Sequence, residues 1–96
     1  MEYYMEELKK KENGFYLGDD PANPLAEILY KFEKDTVISV YRTFVSDTLR
    51  GQGIAGKLLK KVIDLARQEN LKIIPACSYA EKVMTQNPEY KDLLAE

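Results

Sequence analysis

At residue 45 the hydrophobic pattern of this chain changes period, and a glycine-spaced loop sits at the change. Thr36-Val37-Ile38-Ser39-Val40-Tyr41-Arg42-Thr43-Phe44-Val45 is rich in β-branched and aromatic residues, which suit a pleated, half-buried surface. Beyond the loop, Ile54, Leu58, Leu59, Val62, Ile63, Leu65 and Ala66 recur at spacings of three and four. They mark one apolar helical face, with Lys57, Lys60, Lys61, Asp64 and Arg67 on the other. The junction reads Arg50-Gly51-Gln52-Gly53-Ile54-Ala55-Gly56. A strand that enters a helix through such a loop presents backbone N–H groups that have no acceptor inside the helix, together with the positive end of the helix dipole. Gly51, Gly53 and Gly56 remove side chains that would keep an anion off the main chain. The junction predicts a pyrophosphate cradle.

The rest of the chain fits around that junction. Glu6–Lys11 and Gly14–Gly18 flank Asn13-Gly14, a hairpin signal. Asp19–Pro24 is turn-forming and too proline-rich for a ladder. Leu25–Phe32 alternates in part and predicts a third strand, Glu33-Lys34-Asp35 a turn, and Thr36–Val45 the central strand. The helix should stop near Glu69-Asn70. Leu71–Ala76 reads as a short buried strand, parallel to the central one because a helical crossover joins them. Ser78–Gln86 and Pro88–Leu94 read as helices. The predicted class is α/β (α+β): antiparallel N-terminal strands, then one parallel pair that splays beside the helix start, in a single domain over residues 1–96.

Two phosphate motifs can be tested against the loop. Gly51 and Gly56-Lys57 have P-loop spacing, but Leu58 stands where a magnesium-binding hydroxyl belongs. Gly51-Gln52-Gly53-Ile54-Ala55-Gly56 matches a dinucleotide fingerprint literally, yet the following strand ends in Pro75-Ala76-Cys77 with no acid at its tip.

Arg50-Gly51-Gln52-Gly53-Ile54-Ala55, with Val45 five residues ahead, resembles the Arg/Gln-x-x-Gly-x-Gly/Ala signature of the GNAT N-acetyltransferase superfamily. Pro75-Ala76-Cys77-Ser78-Tyr79 and Asn87-Pro88-Glu89-Tyr90 narrow the resemblance to its small members of roughly a hundred residues. The resemblance implies that the loop and helix start hold the pyrophosphate of acetyl-coenzyme A, with the pantetheine arm in the strand splay. It assigns Phe44, Val45, Arg50, Gly51, Gln52, Gly53, Ile54, Ala55 and Gly56 to the cofactor, Phe44 and Val45 through backbone N–H groups near the thioester. In this family the arginine often orders the loop while backbone groups make the contacts. Two departures stand out. Arg42-Thr43 replaces the His-Thr pair usual in the small relatives, and the chain lacks the long helical pair with which fuller members help build the acceptor pocket.

Cys77 and Tyr79 are the candidate catalytic residues. Cys77 falls at the end of the parallel strand and the start of a helix, where thiols gain nucleophilic character, although a lone cysteine is most often a small buried hydrophobe. The resemblance implies a tyrosine after this strand that protonates the departing thiolate, and Tyr79 lies nearer Cys77 than Tyr90 does.

Composition bounds the alternatives. A net charge of −2 argues against nucleic acid as a partner, and Lys9-Lys10-Lys11 is flanked by Glu6, Glu7 and Glu12. With no histidine there can be no Ser-His-Asp triad and no histidine-dependent metal site, and no metal is expected. One cysteine fits a reducing compartment, and no apolar stretch reaches membrane-spanning length. The expectation is a cytoplasmic monomer or homodimer that acetylates a small-molecule or peptide amine from acetyl-CoA. The alternative is a CoA-binding sensor or interaction module that has lost turnover.

Overall fold

A computed structural model describes residues 8–95. Five strands lie side by side in chain order: β1 (Lys9–Lys11), β2 (Gly14–Leu17), β3 (Ala26–Lys34), β4 (Val37–Val45) and β5 (Lys72–Pro75). The first four pair antiparallel and β4–β5 is the parallel pair. Between β4 and β5 come a 3₁₀ turn at Asp47–Leu49 and helix α1 (Ile54–Glu69); α2 (Ser78–Gln86) and a 3₁₀ segment (Pro88–Leu93) follow β5. No helix among the described residues is long and apolar enough to cross a membrane.

The antiparallel arms, the parallel pair and α1 stand as the patterns predict; β3, however, holds the middle of the sheet, and Val37–Val45 is fourth of five. β3 runs to Lys34, so the turn to β4 is shorter than the polar run Glu33-Lys34-Asp35 suggests. β5 is trimmed to four residues, and the last segment winds as 3₁₀ rather than α. Glu6 and Glu7 of the expected first strand lie outside the described residues.

Alternation sorts the sheet into two faces. Leu17, Ala26, Ile28, Tyr30, Ile38, Val40 and Ile73 join one core with Leu58, Leu59, Val62 and Ala66 of α1 and Ala80 and Met84 of α2. Both helices therefore cover the same face. α1 ends as Asn70 suggests: that residue takes a left-handed φ of 60°, and its N–H and that of Leu71 both donate to Ala66 O.

Gly14 owes its place to crowding rather than to the turn. It opens β2, and a Cβ there would lie 2.0 Å from the Ile28 carbonyl oxygen on β3. Gly14→Ala should cost about 2–3 kcal/mol, because a rigid backbone must move. A urea titration checks this; a midpoint equal to wild type would contradict the close approach.

On the face without helices, Glu27 is buried, with its carboxylate bonded to Lys11 Nζ (2.8 Å) and Arg42 Nε (2.9 Å). Burial alone would raise its pKa, but the hydrogen bonds and charges of Lys11 and Arg42 outweigh that, and the carboxyl is held below its ordinary 4.5. A lowered folded-state value means that this stabilisation is complete above 4.5 and is lost as pH falls through the lower value. Acid unfolding of wild type against Glu27→Gln should therefore show the variant less stable at neutral pH, with the gap closing in acid. A gap independent of pH would contradict the ion pairs.

Candidate active site

The parallel strands separate at Val40. Its carbonyl accepts the last bonds from the β5 side, from Ala76 N–H (2.9 Å) and Cys77 N–H (3.0 Å). β5 leaves there, while β4 continues through Tyr41–Val45 paired only with β3. Two local features produce the divergence. Pro75, opposite Val40, has no N–H to extend a ladder, and Tyr41 is an extra residue between the Tyr30–Val40 and Leu29–Arg42 pairs, a bulge that bends β4. The result is a cleft between the last turnings of β4 and the start of α2.

Thr43 and Cys77 meet across it, with Thr43 Oγ1 3.3 Å from Cys77 Sγ. Cys77 is also the N-cap of α2, its sulfur accepting the Ala80 N–H at 3.4 Å. The thiol is half-buried and packs on the core edge. Tyr79 comes from the first turn of α2 and reaches α1: a Cβ at Gly56 would sit 3.6 Å from its hydroxyl. Burial raises the Tyr79 pKa above 10.0, and the Cys77 charge adds to this, so the phenol keeps its proton at neutral pH.

The ladder phase distinguishes Phe44 from Val45. Ser46 N–H donates to Leu25 O toward β3, and bonding directions alternate along a strand. At this register Phe44 is engaged with Glu27, whereas Val45 turns its N–H away from β3, into the cleft. Val45 packs its side chain on the core, and Phe44 lies on the other face beneath the Arg42 guanidinium, 5.2 Å from its ring centroid.

The loop before α1 is bare where an anion would approach. Gly51 and Gly53 have φ of 85° and 74°, a region that favours glycine, and a Cβ at either would meet nothing within 4 Å. Gly53 caps α1 without a side-chain bond, and no acidic residue lies in the first turn. The first helical bond is Lys57 N–H to Gly53 O, so the N–H groups of Ile54, Ala55 and Gly56 have no helical acceptor. These features fit a diphosphate. Ile54 is buried and anchors the helix start by its side chain, leaving only its N–H for a ligand. Gln52 is half-buried between the two glycines. Arg50 is exposed and pairs with Asp47 (3.3 Å), bracing the 3₁₀ turn. Gly56 sits inside the first turn of α1, and its missing side chain faces Tyr79.

Beside the cradle an open groove of about 450 Å³ is lined by Leu8, Gly53, Gly56, Lys57, Lys60, Lys61 and Asp64, with Asp64 paired to Lys60 at 2.9 Å. Lys57 and Lys61 remain beyond the Lys60–Asp64 pair, an excess of positive charge that suits a phosphate. A cavity of about 460 Å³ lies at the far ends of β4 and β5, among Val37, Lys72 and Leu94, away from the cleft. Thr43 is the site residue that pattern reading leaves unassigned; its signal is its position two residues before Val45, on the same side of the strand.

Fold and cleft together define an α/β protein with a bare glycine loop at a helix start and a thiol, a hydroxyl and a phenol at the neighbouring strand splay. The chain belongs to the GCN5-related N-acetyltransferase family, whose model matches residues 14–93. A GCN5-like protein from Staphylococcus aureus, solved by NMR, is 47% identical, with a TM-score of 0.79 over 93% of this chain and 87% of that one. A GNAT family acetyltransferase from Elizabethkingia anophelis, crystallised with acetyl-CoA bound, shares the fold at 22% identity and a TM-score of 0.52 over 77% of this chain and 52% of that one. Among sequences, Protein NATD1 of Gallus gallus is 30% identical over 82 residues, 85% of this chain and 74% of that protein.

Proposed function

We propose that this chain is an N-acetyltransferase that holds acetyl-CoA at the Arg50–Gly56 junction and passes the acetyl group to an amine. The observation that carries the reading is one juxtaposition. Bare glycines lead into α1, Tyr79 spans from α2 to that same first turn, and Cys77 meets Thr43 in the cleft beside them. Acetyl-CoA supplies the activated thioester; the remaining chemistry falls to the chain. The Val45 N–H is the backbone donor turned toward a thioester oxygen, where charge develops during attack. Tyr79, protonated at neutral pH, supplies the proton for the departing sulfur. Cys77 and Thr43 border the path of the attacking amine and orient it or relay its proton. In balance, a C–N bond forms as a C–S bond breaks, Tyr79 protonates the sulfur, and the amine's proton leaves to water, which reprotonates Tyr79.

Direct attack by the amine needs no covalent enzyme intermediate, so Cys77 acts in positioning or proton relay. A second reading, a CoA-binding sensor without turnover, is favoured by the lack of any histidine and by Arg42 standing before Thr43. Release of free CoA thiol in an amine screen separates the two. Amine-dependent release supports the enzyme; saturable acetyl-CoA binding with no release from any amine supports the sensor.

A further inference from the structure

Beyond Val40, β4 has no strand partner on its β5 side, so this edge borders both faces of the sheet. On one side stand Cys77, Tyr79 and the helix starts; on the other is the face that no helix covers. On that face Arg42 and Phe44 stand on β4 at the cleft, followed away from it by Glu27 on β3, Tyr16 on β2 and Lys9 and Lys11 on β1. Two of these cations, Lys11 and Arg42, hold the one acid and Lys9 stands apart on Gly18 O, so the patch has an excess of two positive charges on a chain whose net charge is −2. Glu27 is buried with no helix above it, roofed by Lys11 and Arg42.

Arg42 is built differently from a solvated surface arginine. Its Nε is fixed on Glu27 Oε2 at 2.9 Å and its plane lies over the Phe44 ring, so the guanidinium is oriented before anything binds. Its side chain is still 50% exposed. Among the described residues, Nε is its only atom with a hydrogen-bond partner. The two terminal nitrogens form a fork with the geometry of a carboxylate. Arg42 is followed on β4 by Thr43, whose side chain lies on the opposite face of the strand and touches Cys77. The phosphate cradle belongs to the helix face, so a ligand of Arg42 is a different part of the reaction mixture from the cofactor pyrophosphate.

We propose that the acceptor is a small amine bearing a carboxylate, and that Arg42 receives the carboxylate on the open face while the amine enters the cleft. This rests on the acetyltransferase reading above. A cationic polyamine would meet like charge on this face, whereas an amino-acid-like acceptor satisfies the fork and leaves its amine free. Glu27 is a positioning residue: it holds Arg42 and does not meet the substrate.

The test uses product mimics, so it does not depend on turnover. With CoA present, a panel of N-acetyl amino acids and their matched carboxamides is titrated into the protein, with NMR signals of Arg42 Nε–H and Phe44 as the readout. At least one N-acetyl amino acid should bind about 10- to 100-fold more tightly than its carboxamide, the range of a hydrogen-bonded charge pair. Arg42→Gln should bring that ratio close to one with CoA affinity unchanged, since Lys11 still pairs Glu27. Arg42→Lys, which keeps the charge but not the fork, should also lose most of the preference, and it serves if Arg42→Gln fails to fold. Equal binding of acids and carboxamides, no binding by any acid, or a preference that survives both substitutions would overturn the proposal. An acidic peptide that binds more tightly than every small acid would overturn the choice of a small acceptor. Failure of CoA itself to bind would instead remove the acetyltransferase reading.

Discussion

Gly53→Glu is expected to lower acetyl-CoA affinity by at least about 100-fold, the order produced when like charges are set against each other in a binding site. Gly53 is the N-cap of α1, at φ 74°, with open space where its Cβ would be. A glutamate there places a carboxylate among the same N–H groups that a pyrophosphate would use, so it both repels and replaces the ligand. The fold should persist. Forcing a side chain into a left-handed conformation costs about 1–2 kcal/mol, and a negative charge at a helix start returns part of that. Gly53→Asn separates the two effects, because asparagine tolerates this backbone and adds no charge; it should keep most of the affinity. Calorimetry on both variants, beside a thermal melt, checks the argument. Affinity retained by Gly53→Glu in a folded protein would remove the cradle from the site.

Tyr79→Phe is expected to lower kcat by about 100-fold or more, the contribution of a positioned general acid, while leaving acetyl-CoA affinity nearly unchanged. The pattern follows from the position of the hydroxyl, beside Gly56 in the first turn of α1 rather than in the glycine loop. Because Tyr79 titrates above 10.0, wild-type activity should show no alkaline loss from this group below that pH. Cys77→Ala separates the neighbouring role. It removes the acceptor of the Ala80 N–H, worth about 1 kcal/mol as a cap, and opens the contact with Thr43. Transfer should fall by about tenfold or more if Cys77 orients or relays; full activity would leave it as cap and packing. Unchanged kcat in Tyr79→Phe would return the leaving sulfur's proton to solvent.

The sequence was most legible where local chemistry and tertiary packing agree. The three-and-four spacing from Ile54 to Ala66 located α1, and Asn70 ends it because asparagine accepts the left-handed turn. The switch of period at Val45 located the junction, since alternation and helical spacing cannot coexist in one element. Legibility failed where an element's extent depends on its neighbour. β5 is short because Pro75 cannot donate and the Val40 carbonyl takes both the Ala76 and the Cys77 N–H; Pro75 is visible in the sequence, but that shared acceptor on another strand is not. The Tyr41 bulge leaves no residue signature, yet it bends β4 away from β5. Thr43 gains its place only when that bend brings it to Cys77. Nothing in the partial alternation of Leu25–Phe32 marks Glu27 as buried; its burial is produced by two cations from different strands. Asn13-Gly14 signals a turn, whereas the crowding that requires Gly14 comes from Ile28, fourteen residues on.

Calorimetric titration of the wild-type protein with acetyl-CoA, with CoA in parallel, asks whether the Arg50–Gly56 cradle holds its ligand. Saturable binding of both ligands at one site per chain is the predicted result. Absence of binding by either would contradict the cradle, and with it the assignment of this cleft to acetyl transfer.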